Sequence, residues 1–248
     1  VDHVVIDGGP GDAETWAQLA ALLGETWPHA CGVRLGLARL AIDTGYEAPA
    51  VYAWARRQGW SQVLPVKGAE GFNRAAPVSG PTYVDATERG KKIHRGARLW
   101  TIAVSTFKSE TYRFLRLSPP VEDGERFPAG YVHLPRGVDA EWAKQLVGEQ
   151  LVTVKTRRGF TRLEWQKLRE RNEALDCRVY ARAAAWIAGA DRWPDRKWQD
   201  LEAQVAAADD DADLDAAAPE EIVPPVAGEL ARSAPRRRRM VFRSSYMG

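Results

Sequence analysis

Two short stretches place carboxylates where side chains from distant parts of the chain can meet. "LARLAID" (37–43) is an apolar run that ends on Asp43, and Gly45 breaks it before a helical pattern begins. "NEALDC" (172–177) sets Glu173 and Asp176 at the head of an alanine-rich helical segment, 170–189. An acid at the C-terminal edge of a parallel sheet faces the crevice where such sheets bind ligands, and a glycine beside it lets a ligand or a second backbone come close. One Asp from a strand end and one from a helix packed on that sheet would offer hard oxygen ligands to a cation. That is Mg²⁺ chemistry, and with a third acid it becomes a two-metal site for in-line phosphodiester cleavage. Local readings compete with this one: Asp43 as a turn or N-cap residue, Glu173 and Asp176 as partners of the helix dipole.

Helical spacing puts Glu173, Asp176, Cys177, Tyr180, Ala184 and Ile187 on one face of the last helix, with Arg178 and Arg182 nearly opposite. If that face packs on a sheet, the two acids are held near the interior. A buried carboxylate without a partner protonates, so it calls for an arginine, a helix N-terminus or a metal ion.

The elements that must position these acids follow from periodicity. A strand running into a Gly/Pro turn is expected over 3–12, a helix over 13–27, a continuous apolar strand over 35–42, a helix over 48–59 and a short strand over 61–68. That alternation argues for an α/β domain whose last two strands are parallel. The Gly- and Pro-rich middle, 69–135, holds a strand over 97–104 and a helical period over 105–117. A helix over 139–152 and a hairpin over 151–168, centred on Arg157, Arg158 and Gly159, precede the final helix. There is no internal repeat.

Bulk properties narrow the class. The 248 residues are 45% hydrophobic, and no apolar run approaches membrane-spanning length, so no membrane role is expected. No signal peptide is read at the N-terminus, and the start at Val1 suggests a processed, truncated or excised chain. The two cysteines, Cys31 and Cys177, fit a reducing setting and are expected in the core. A net charge of +2 conceals an acidic block, "DDDADLDAAAPEE" (209–221), followed by a basic one, "RSAPRRRRMVFR" (232–243). The folded domain is therefore expected over 1–200, with 201–248 a disordered acidic linker and basic tail.

Four blocks, "LAIDTGYEAPAVYAWAR", "VLPVKG", "YVHLPRG" and "RNEALDCRVYARAAA", resemble in that order the C-terminal nuclease domain of the large terminase subunit of lambda-like tailed phages, the GpA type. The resemblance implies a ribonuclease H-like mixed sheet flanked by helices, and an endonuclease that cuts concatemeric viral DNA with Mg²⁺ or Mn²⁺ during genome packaging. Carried onto this sequence, it makes Asp43 and Asp176 the catalytic metal ligands and Glu173 a weaker candidate. The family's remaining acid lies on a first strand that this chain is expected to lack, and neither Asp2 nor Asp7 sits in the matching block. With no G-x-x-x-x-G-K-[ST] present, the ATPase half is expected outside this chain. The alternative reading is a catalytically incomplete fragment that binds DNA or portal. Double-stranded viral DNA, the terminase small subunit and the procapsid portal are the implied partners, and the host cytoplasm the implied location.

Cations supply the candidate DNA contacts. Lys67 and Lys108 fall where the family tends to carry lysine, each otherwise an ordinary solvated lysine. Arg157, Arg158 and Arg162 surround Phe160 on the expected hairpin tip, a basic footprint with an aromatic. Arg236, Arg237, Arg238 and Arg239 form the tail that the resemblance assigns to portal docking. His133 is read as a structural histidine, and Trp16, Trp54, Trp142, Trp165 and Trp186 as core.

Overall fold

The structure is a computed structural model that describes residues 4–29, 32–88, 90–122, 124–134 and 137–210, with 206–210 given as backbone alone. In chain order come α1 (Ala13–Leu22), a small antiparallel pair β1 (Thr26–Pro28) and β2 (Arg34–Gly36), β3 (Leu40–Asp43), α2 (Ala48–Gln58) and β4 (Val63–Ala69). A long hairpin, β5 (Val78–Glu88) and β6 (Lys91–Ala103), leads into α3 (Val104–Phe114). Then follow α4 (Ala140–Leu146), a second hairpin of β7 (Glu149–Lys155) and β8 (Thr161–Lys167), α5 (Glu173–Ala188) and α6 (Asp195–Asp210).

The central sheet is four-stranded in the order β3-β4-β6-β5. β3, β4 and β6 run parallel and β5 antiparallel, so the fold is a mixed α/β sheet flanked by helices. Side-chain alternation sorts the strands into two cores. On one face Leu64, Val66, Val78 and Ile102 pack with Phe107 of α3 and Leu175, Val179 and Ala183 of α5, and Ala41 lies against them. On the other face Val63 meets Trp54 and Ala55 of α2 and Leu19 of α1, with Leu40 and Ile42 against them. Period two therefore puts Asp43 on the side of Ala41, facing α5.

Several expected elements differ in extent. Residues 4–9 form no strand, although Ile6 is buried in the second core. The apolar run at 35–42 is broken into β2 and β3, because its exposed first part pairs back onto Thr26–Pro28. The helix expected over 139–152 stops at Leu146. Its C-cap residue Val147 has left helical geometry, and Gly148 bonds back to Gln145, so Glu149 opens a strand instead. β5 escaped notice because Gly80-Pro81 reads as a turn, whereas it sits at a register shift between Ser79 and Thr82. The hairpin over 151–168 and the helices at 48–59, 105–117 and 170–189 fall where expected, within a few residues. α6 carries helix into the segment read as linker.

Candidate active site

Asp43 ends β3 on the carboxyl-end side of the parallel strands, opposite Val66, while β4 and β6 run on together to Ala69 and Ala103. The chain turns sharply after it. Gly45 donates its backbone N–H to Asp43 Oδ1 at 3.2 Å, and Thr44 anchors the turn by donating its N–H and hydroxyl to the Val66 carbonyl, each at 2.9 Å. A Cβ at Gly45 would lie 3.0 Å from Asp43 Oδ2, so any larger residue here crowds the carboxylate. The helix that follows uses Glu47, not Asp43, at its N-cap position.

Asp176 arrives from the far end of the chain on the first turns of α5. The buried stripe of that helix runs through Leu175, Val179 and Ala183, so the face read from the wheel is rotated. The bulkier apolar residues take the centre of the contact, and Asp176, Tyr180 and Ala184 flank it. Cys177, expected in the core, is exposed. Tyr180, one turn beyond Asp176, donates its hydroxyl to Asp43 Oδ1 at 3.4 Å. That bond brings the two acids to one place, because residues four apart share a helix face.

Electrostatics agree with the geometry. Burial raises the pKa of Asp43, against lowering contributions from Gly45, Thr44, Tyr180 and Lys67. Burial also pushes Asp176 up to about 6; Lys108 and Lys167 pull it down, while Glu149 and Asp43 raise it further. Asp176 thus feels the charge of Asp43.

Glu149, missed in the sequence because it lay inside an expected helix, is the third acid of this neighbourhood. It is 3% exposed and fully engaged. Lys108 Nζ donates to both of its carboxylate oxygens at 2.8 and 2.7 Å, and Asn172 Nδ2 donates to Oε1 at 2.7 Å. The Tyr112 hydroxyl bonds its carbonyl and accepts its N–H. An acid opening a β-branched run after glycine was the only available signal. Lys108 is consequently corrected: it is a buried counterion, not a surface cation offered to DNA.

The other candidates are distributed as follows. Glu173 is the first residue of α5 and half-buried, and among the described residues no three of His, Cys, Asp and Glu come together as a metal-holding group. Lys67 is exposed near the end of β4. Arg157 and Arg158 are exposed on the β7–β8 tip with Phe160, 71% exposed. Arg162 is tied to Glu164 at 2.7 Å. His133 is exposed and packs on Phe127 and Tyr131. Arg236, Arg237, Arg238, Arg239 and Cys31 lie outside the described residues, and among the described residues no helix is long and apolar enough to cross a membrane.

The donor set suits a hard cation. Two partly desolvated carboxylates from separate elements lie within electrostatic reach of each other, and a cation would offset the desolvation that raises both pKa values. Mg²⁺ commonly takes one or two carboxylates and fills its remaining positions with water and substrate phosphate.

Comparison with known proteins supplies the family. The family model described as "Terminase large subunit gpA, endonuclease domain" matches residues 1–198. The large terminase subunit of Enterobacteria phage P21 is 31% identical over 195 residues, covering 78% of this chain and 29% of that protein. That of Escherichia phage lambda is 32% identical over 197 residues, covering 78% of this chain and 28% of its own length. The chain spans less than a third of these curated relatives. No solved structure matches it. On a family match that covers most of its length, the chain belongs to the terminase large subunit gpA endonuclease domains.

Proposed function

We propose that this domain is a divalent-metal-dependent DNA endonuclease acting in phage genome packaging, with Asp43 and Asp176 holding Mg²⁺ or Mn²⁺. The observation that carries the reading is the convergence of these two acids, from a strand end and a helix packed across it, through Tyr180. A parallel strand edge bearing one acid, crossed by a helix bearing the next, also supports a ribonuclease H-like arrangement of the mixed sheet.

A bound divalent ion would supply a nucleophilic water at neutral pH and charge stabilisation for the leaving 3′ oxygen. The chain's own groups do the rest. Gly45 N–H and the Tyr180 hydroxyl fix the Asp43 carboxylate, so its free lone pairs point along a set direction. Lys67, Arg157 and Arg158 are exposed cations for the DNA backbone, which needs charge more than sequence-specific contacts for positioning. Double-stranded viral DNA is the substrate, and the terminase small subunit and the procapsid portal are the partners proposed for the longer protein in the host cytoplasm. The basic segment around Arg236–Arg239 is proposed to reach the portal by charge.

The test is a supercoiled-plasmid nicking assay on the purified chain with Mg²⁺ or Mn²⁺. Nicking that needs the metal and vanishes in both Asp43→Asn and Asp176→Asn supports the assignment. Undiminished nicking in either variant removes that acid from the site. A wild-type chain that binds plasmid without nicking it would favour the alternative, a DNA- or portal-binding module.

A further inference from the structure

We infer that Lys167 is a DNA-phosphate contact of this same site, held beside Asp176 by the base of the β7–β8 hairpin. The inference rests on the nuclease reading above and adds a residue that the family blocks do not contain.

Lys167 closes β8 directly across from Glu149, the first residue of β7, and cross-strand partners share a face of the ribbon. Leu168 N–H bonds the Gly148 carbonyl at 2.8 Å, which pins the strand ends one step further on. Glu149 in turn accepts from Asn172, the N-cap residue of α5, whose first turns carry Asp176. The hairpin base and the helix that carries Asp176 are therefore one hydrogen-bonded unit, and Lys167 is an exposed residue of it. Lys167 lies within electrostatic reach of the Asp176 carboxylate.

What distinguishes Lys167 from its neighbours is that its ammonium is not used internally. Lys108 is spent on Glu149, Arg169 on Glu141 at 2.8 Å, and Arg162 on Glu164. Lys167 is exposed and makes no ion pair among the described residues. Two acids at a sheet edge repel an approaching phosphodiester, and an exposed ammonium beside them offsets that repulsion. Lysine suits the task, because a compact point charge on a flexible stem binds phosphate without fixed geometry. The competing reading is a lysine that serves only solubility.

The experiment is fluorescence anisotropy of a labelled duplex oligonucleotide with the full chain in EDTA, titrated with salt, for wild type, Lys167→Ala and Lys167→Arg. Lys91→Ala, at the far end of β6 from the site edge, is the control for loss of a surface charge. We expect Lys167→Ala to lower the salt slope by about one and to weaken binding equally on two unrelated sequences. Lys167→Arg should keep the wild-type slope, Lys91→Ala should match wild type, and all thermal melts should coincide. In nicking, Lys167→Ala should raise KM with little change in kcat. An unchanged slope and KM in Lys167→Ala overturns the inference while leaving the nuclease reading in place. A wild-type chain that neither binds the duplex nor nicks plasmid overturns both.

Discussion

At the residue scale, the energetic signature of the site is a carboxylate kept where ionisation is unfavourable. Burial pushes the Asp176 carboxyl up to about 6 from its ordinary 3.8. Between about pH 4 and 6 the folded state therefore holds a proton that the unfolded state releases. Stability is full below the unfolded pKa and falls as pH rises toward 6, leaving a deficit at neutral pH on the order of 2–3 kcal/mol. In EDTA, Asp176→Asn should melt above wild type at pH 7.5 and level with it near pH 4, as read by circular dichroism. Equal melts at both values would mean that Asp176 is not desolvated. Gly45→Ala tests the other acid. Its Cβ would crowd Asp43 Oδ2, so the variant should fold yet need a higher Mn²⁺ concentration for half-maximal nicking. The places of both acids, a strand end and the first turn of a helix, were legible from periodicity, while their metal-binding role is a proposal. Glu149 and Lys167 were not, since their meaning comes from cross-strand register, which composition does not carry.

At the scale of elements, α3, β7 and α5 are locked together by the Lys108–Glu149 pair, the Asn172 amide and the Tyr112 hydroxyl. Arg182 adds a second tie between α5 and α3, bonding Glu110 at 2.6 Å. A buried pair gains little over an apolar replacement, but losing one partner strands a charge. Lys108→Met should therefore cost roughly 3–5 kcal/mol in urea unfolding, and Lys108→Met with Glu149→Gln should recover much of it. A double variant no more stable than the single one would show that the charges are not coupled. Helices with a clear apolar stripe and β4 with its continuous apolar run were readable from periodicity. β5 and the start of β7 were not, because Gly80-Pro81 and the GEQLV stretch carry local signals for a turn and a helix that pairing with β6 and β8 overrides.

At the scale of the molecule, a mixed sheet with a core on each face points the carboxyl ends of three parallel strands the same way, and α5 packs across that sheet with the second acid. The α/β class was legible from the strand-helix alternation, whereas the layer that each helix occupies was settled only by packing. The proposed chemistry requires Asp43 and Asp176 to share one cation. The direct measurement is the anomalous difference map of a Mn²⁺-soaked crystal of this chain. A peak roughly 2 Å from a carboxylate oxygen of each acid is expected. A peak on Glu149 or Glu173 alone, or no peak at the ends of β3 and α5, would contradict it.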